Sequence, residues 1–220
     1  MDFREKIRQA AVQRRIPYLV HFTQVRNLAS IVTHGLLSRE HLLERGLGAF
    51  VSASERLDEK DEAISVSISA INLDMFKAKQ AAWRGSAWVV LLLDPSILWT
   101  HNCRFLSRNA ARREIKEHRG FLGGPWGFFQ MFLDDLPPPL FKGRSYRLET
   151  GIPDFLTTCP DAEVQVLEPI APETISHAWV DRSDLSEAVQ AELWRLPGPK
   201  RHVSVQEFQP RFSNGYAVWG

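Results

Sequence analysis

The sequence predicts an α+β fold, on three observations. Short stretches alternate apolar and polar residues with the period of a strand, and one run is apolar throughout. Other stretches repeat apolar residues at helical spacing. The two kinds follow one another without the regular alternation that builds a parallel sheet. With 220 residues, 44% of them hydrophobic and 24% charged, the chain can build one sizeable core and is read as a single domain over 1–220.

Residues 2–15 read as a helix with Phe3, Ile7, Ala10 and Ala11 on one side. "PYLVHFT" (17–23) reads as a strand. "NLASIVTHGLL" follows as a short helix, with Asn27 as N-cap, Leu28, Ile31 and Val32 as its stripe and Gly35 at its end. In "AISVSIS" (63–69) Ile64, Val66 and Ile68 alternate with Ser65, Ser67 and Ser69, which describes a half-buried strand with a hydroxyl-lined face. A helix through "LDMFKAKQAAW" comes next. "AWVVLLLD" (87–94) is apolar enough for a central strand covered on both faces. The stretch 100–155 reads as a long excursion with short helices, a length that points to function or disorder. Strands at 162–167 and 174–180 precede a helix over about 184–195, where Asp184 and Glu187 stand at capping-box spacing. The last 25 residues, rich in Pro, Arg and Trp, are expected to pack loosely over the core.

Composition excludes several classes. No run of about 18 apolar residues exists to span a membrane, and "MDFREKIRQAAVQRR" lacks the apolar core of a signal peptide, so a cytoplasmic protein is expected. Cys103 and Cys159 read as free thiols. A net charge of +1 leaves nucleic acid to be held only by a local basic patch. No metal site is expected, because HExxH and any Cys/His cluster are missing. There is also no GxSxG, P-loop or GxGxxG.

Four features carry candidate chemistry. His21 and Thr23, two apart on a strand, share a face, where they either bond a ribose or amide or are satisfied at a strand end. In "DAEVQV", Ala162, Val164 and Val166 take one face while Glu163 and Gln165 take the other. Glu163 therefore meets either solvent at an edge or a cleft. As an exposed strand carboxylate it would contribute little to folding. Ser65, Ser67 and Ser69 offer donors to a ligand, or simply a polar outer face. Last, Arg104, Arg108, Arg112 and Lys116 recur at spacing four, which would line one helical face for phosphates or form an ion-paired surface helix. Arg113 and Arg119 join them, and "KGRSYR" adds Lys142, Arg144 and Arg147 beside Tyr146, a basic loop with an aromatic that suits single strands.

Taken together, "IPYLVHFTQVRNLASIVTHGLLSR" (16–39), "AISVSIS" with the following "MF" (63–76), "WVVLLLDPSILWTHNCRFLSRNAA" (88–111) and "TTCPDAEVQVLEPIAPETI" (157–175) resemble the DarT family of single-stranded-DNA thymidine ADP-ribosyltransferases, over roughly residues 16–180. The resemblance implies an ADP-ribosyltransferase fold: two packed, curved antiparallel sheets with peripheral helices and a central NAD cleft. It implies that Glu163 is the catalytic glutamate, that His21 and Thr23 hold NAD, and that Ser67 or Ser69 lines the same cleft. Residues 109–113 would border the NAD and DNA sites. The DNA-facing set is then Arg104, Arg108, Asn109, Arg112, Arg113, Arg144 and Arg147. NAD would serve as ADP-ribose donor without a metal. Single-stranded DNA would be the acceptor, and a macrodomain antitoxin the partner of a toxin or phage-defence effector. One departure stands out: where the family carries an Arg after "MF", this chain has Gln80, with Lys77 and Lys79 as nearby cations able to stand in. That departure keeps transfer onto RNA or protein open, as well as a non-catalytic module that binds NAD or nucleic acid.

Overall fold

The computed structural model describes residues 2–48, 62–134, 145–206 and 216–217. Along them run α1 (Phe3–Gln13), β1 (Leu19–Gln24), α2 (Leu28–His34), α3 (Arg39–Glu44), β2 (Ile64–Ile68) and β3 (Ile71–Asn72). Then come α4 (Leu73–Ala82), β4 (Trp88–Leu93), α5 (Ile97–Thr100), β5 (Cys103–Leu106), α6 (Arg113–Lys116) and α7 (Pro125–Gln130). The described chain closes with α8 (Tyr146–Thr150), β6 (Glu163–Val166), β7 (Ile175–Val180), α9 (Ser186–Leu193), β8 (His202–Val205) and β9 (Tyr216–Ala217).

Burial on both faces explains the unbroken apolar run of β4. Val89, Leu91 and Leu93 enter the main core with Ile7 of α1, Ile31 of α2 and Val189 of α9. Trp88, Val90 and Leu92 face a second cluster that contains Leu73 and Phe76 of α4. Neither face reaches water, so no alternation is needed. The helix before β1 and the strands β1, β2, β4, β6 and β7 fall where their patterns place them.

Seven strands form one sheet, in the order β5-β6-β2-β1-β4-β7-β8, and β3 pairs with β9 as a separate ribbon. The expected pair of packed sheets is therefore replaced by one continuous sheet. Its halves are weakly joined. β1 pairs with β4 along its whole length, from Leu19↔Leu93 to Gln24↔Trp88. It pairs with β2 only at Leu19↔Ile68 and Val20↔Ser67. Beyond Val20 the two strands part, and that divergence opens a cleft within the sheet.

Other expectations change locally. Arg104 lies on β5, paired with Gln165, and residues 107–112 are not helical; only Arg113–Lys116 makes a short helix. The spacing of four therefore marks no continuous helical stripe. Asn27 ends a 3-10 turn (Val25–Asn27) and donates to Thr23 Oγ1 at 3.1 Å instead of capping α2. Asp184 accepts from Arg182, so no capping box starts α9. Asn72 caps α4 by accepting from Met75 N–H at 3.1 Å. Gly35, at φ 80°, ends α2 where an added Cβ would stand 2.3 Å from the Ile170 carbonyl oxygen. That close approach lets Leu36 and Ile170 exchange hydrogen bonds at 2.9 and 3.0 Å.

The tail, as far as it is described, is not loose. β8 adds to β7 in parallel, His177 opposite His202 and Val180 opposite Val205. Just before it, Arg201 is 5% exposed. Its guanidinium donates to the carbonyls of Ile175, Leu196, Pro197, Pro199 and Glu173 at 2.6–3.5 Å. Its own carbonyl accepts from Gln190 of α9 and from Trp194 just beyond that helix. A planar, permanently charged fork suits several carbonyls converging from different directions.

Candidate active site

The cleft between β1 and β2 has a volume of about 600 Å³, and its lining includes His21, Thr23, Ser65, Ser67, Asn109 and Glu163. Glu163 opens β6, a strand flanked by β5 and β2, so it is not at a sheet edge. The side chain is buried, with 6% exposed. Oε1 accepts from Ser65 Oγ at 2.6 Å; Oε2 accepts from Asn109 Nδ2 at 2.9 Å and Ala110 N–H at 3.1 Å. A carboxylate, which only accepts, matches three converging donors. The expectation of an exposed group of small structural weight is thereby corrected: Glu163 is buried and held from the neighbouring strand β2 and from a loop.

Ser65 serves a second residue. His21 Nδ1 lies 2.9 Å from the Ser65 carbonyl oxygen. A carbonyl can only accept, so Nδ1 carries the proton and, in the neutral ring, Nε2 is the acceptor. One serine thus holds His21 with its carbonyl and Glu163 with its hydroxyl. It was read only as part of a hydroxyl face, because the contact to Glu163 joins positions 98 apart in sequence. Thr23, also in the lining, accepts from Asn27.

The remaining candidates distribute differently. Ser67 lines the cleft, but Ser69 does not: it is fully buried at φ 59°, its N–H bonded to the Tyr18 carbonyl at 3.1 Å. Lys77 is exposed on α4 and outside the lining. Among the described residues, the lysine and arginine in the lining are Lys79 and Arg39. Burial, then the Arg39 charge, holds the Lys79 ammonium below its ordinary pKa. Gln80 donates to Asp181 Oδ2 at 3.1 Å and is not in the lining. Gln24 and Trp88, register partners at one end of the cleft, each bury a side-chain N–H with no hydrogen-bond partner among the described residues.

The basic set is largely engaged in holding the protein together. Arg104 donates to Gln165 Oε1 at 3.0 Å. Arg108 and Arg112 both pair with Asp161, at 3.3 and 3.0 Å. Arg113 pairs with Glu117 at 2.7 Å. Arg147 donates to Thr158 Oγ1 and the Pro153 carbonyl. Arg144 lies outside the described residues, as do Lys142 and the prolines 137–139. Asp161 also lines the cleft, two residues before Glu163. It fastens the loop that delivers Asn109 and Ala110 to the carboxylate. Asp161→Ala is therefore expected to lower turnover about tenfold or more at a stability cost of about 1 kcal/mol, read by steady-state rate and denaturant midpoint; unchanged turnover would refute the anchoring role.

Cys103 and Cys159 are buried thiols with pKa values pushed up, chiefly by burial, to about 12 and about 11, which makes them inert as nucleophiles. Among the described residues no cluster of three or more His, Cys, Asp or Glu is arranged to hold a metal ion, and no helix is long and apolar enough to cross a membrane.

Comparison with known proteins now bears on this site. No curated protein matches the chain. Among solved structures, Thermus sp. 2.9 DarT in complex with ADP-ribosylated single-stranded DNA is similar at 15% identity and TM-score 0.56, covering 87% of this chain and 95% of that one. The same Thermus protein with carba-NAD+ gives 14% identity and TM-score 0.54, with 87% and 96% covered. Thermosipho africanus DarTG in complex with ADP-ribose gives 12% identity and TM-score 0.50, covering 86% of this chain. The present chain spans about half the length of that protein, 49%. At these identities the structures establish a shared fold. The family model described as "ssDNA thymidine ADP-ribosyltransferase, DarT" matches residues 20–207, most of the sequence including every described residue of the cleft lining from His21 to Glu163, and the chain belongs to the DarT family.

Proposed function

We propose that this protein transfers ADP-ribose from NAD to a thymine base of single-stranded DNA, with Glu163 as the catalytic carboxylate. The observation that carries the reading is Glu163 itself: buried in a cleft, and oriented by Ser65, Asn109 and Ala110. As the nicotinamide N-glycosidic bond breaks, its electron pair leaves with nicotinamide and positive charge develops on the ribose. A carboxylate held in place by three donors stabilises that charge, and accepts a hydrogen bond from the ribose 2′-hydroxyl. The ribose carbon then bonds to a thymine ring nitrogen, whose proton passes to Glu163 or a neighbouring base. A base inside a duplex cannot reach such a cleft, hence the preference for single strands.

His21, Thr23 and Ser67 are assigned to holding NAD, with Lys79 and Arg39 supplying positive charge in place of the family's Arg, which is Gln80 in this chain. A cleft of about 600 Å³ is of the size that takes a dinucleotide. Residues 1–220 are taken to work as one transferase domain, because β8, late in the chain, hydrogen-bonds into the same sheet as β1. A cytoplasmic toxin or phage-defence role, with a macrodomain partner that removes the modification, completes the proposal; similarity to T. africanus DarTG supports the partner.

The test is intact mass spectrometry of single-stranded DNA and RNA oligonucleotides incubated with NAD and protein. An ADP-ribose adduct on thymine-containing DNA, absent with Glu163→Gln, is expected. An adduct on RNA alone, or on neither acceptor, would overturn the assignment of substrate.

A further inference from the structure

Outside the cleft, three large side chains stand exposed on α7 and the loop before it, Phe121 at 73%, Trp126 at 55% and Phe129 at 43%, and Phe3, at the start of α1, is 56% exposed. Trp126 and Phe129 are three apart on α7 and so share a side of the helix. The His118 ring lies nearly parallel to Trp126, centroids 5.9 Å apart and planes tilted 17°. Phe121 and Phe3 both come against Gly124, where an added Cβ would meet them at 3.3 and 3.6 Å. Glycine at 120 lets the His118 ring fold back over the loop, because a Cβ there would stand 2.5 Å from Nε2.

We propose that this aromatic face is a stacking platform for bases of the single-stranded DNA that lie beyond the cleft. Two observations favour nucleic acid over a protein partner. First, the rings are interleaved with charge of one dominant sign. Residues 112–119 carry four cations against two carboxylates, Arg112 among the cations already paired with Asp161, and Arg4, Lys6 and Arg8 are exposed on the adjoining helix alongside Asp2. One of those carboxylates, Glu117, is paired with Arg113, and Glu5 of α1 is paired with Arg8. Aromatic faces within a cationic surface suit bases and the phosphates between them. Second, the platform is built on the segment that reaches the catalytic carboxylate. Asn109 and Ala110 bond Glu163, and Ala110 packs with Ile115 and Leu122 on either side of His118. A strand whose target base enters the cleft passes beside that segment. The phosphate contacts thereby shift from Arg104, Arg108 and Arg147 toward Lys116 and Arg119.

The inference rests on the single-stranded-DNA reading above, and its test separates the two. Fluorescence anisotropy of labelled oligothymidylates, short (about 4 nucleotides) and long (about 16), is measured with the parent protein, Trp126→Ala, Phe121→Ala and Lys116→Glu/Arg119→Glu. The parent is expected to bind the long oligonucleotide more tightly. Each aromatic variant should lower the ratio of long to short affinity about tenfold. The charge variant should flatten the salt dependence for the long oligonucleotide. A parent affinity independent of length, or variants that match the parent, would overturn the platform. So would variants that lose only association with a second protein. Loss of transfer with the anisotropy pattern intact would refute the catalytic reading alone, since binding is read without turnover.

Discussion

Glu163→Gln is expected to lower ADP-ribose transfer by about a thousandfold or more, read as adduct formed on a thymine-containing oligonucleotide. The substitution keeps the side-chain volume and removes the charge that, on the proposed mechanism, faces the developing oxocarbenium. It also has a structural cost. The carboxylate now accepts from Ser65, Asn109 and Ala110 together, and an amide presents one acceptor oxygen and an NH2 that turns toward a donor. Stability should fall by about 1–3 kcal/mol, the cost of leaving one or two buried donors unmatched, visible in the denaturant midpoint. Glu163→Ala removes both acceptors and should lie at the upper end of that range. NAD affinity should change far less than turnover, because the ribose contact of Glu163 matters most as charge develops, while His21, Thr23 and Ser67 still line the cleft. Full transfer by the Gln variant would remove Glu163 from the chemistry, and unchanged stability would remove its hydrogen bonds from the fold's energetics.

The second large effect is on folding. Arg201→Met is expected to destabilise the protein by about 3–5 kcal/mol, measured by equilibrium unfolding in denaturant. Methionine approximates the stem but cannot satisfy the five carbonyls that the guanidinium now bonds. Those oxygens belong to residues 173, 175, 196, 197 and 199, so the strand pair β7–β8 and the loop after α9 lose a common partner. Arg201→Lys should recover only part of the loss, because three donors on one nitrogen cannot span carbonyls that surround a planar fork. A loss under about 1 kcal/mol for the methionine variant would mean that the carbonyls find water instead.

What the sequence made legible followed from contrast along the chain. β2 and β6 alternate cleanly, and the β4 run is apolar at every position, so strand identity and face could be read from neighbours alone. β5 and β8 gave no such contrast. Each is four residues long, and β8 has no buried residue in its span, His202–Val205. Arg104 was drawn into a helical reading by spacing, although its backbone pairs with β6. Glu163 could be assigned a face but not an environment, because its burial depends on β5 and β2 lying on either side of it. The role of Ser65 and the lodging of Arg201 among distant carbonyls are long-range facts that no local window contains. Lys79 rather than Lys77 reaches the cleft because of helical phase relative to the sheet, and the sequence offers two lysines two apart without fixing which face is inward.

The position of Arg201 also sets an order of events during synthesis. The chain is made from its N-terminus, and the residues that line the cleft, from Val20 to Glu163, emerge well before the arginine that ties the end of the sheet. Until residue 201 is available, β7 has β4 on one side and a bare hydrogen-bonding edge on the other. The nascent protein thus holds the described cleft-lining residues before it holds the arginine that secures β8 against β7. β8 therefore closes that edge of the sheet only after the cleft-lining residues have been made, the strand order β4-β7-β8 following the order of synthesis at this end of the sheet.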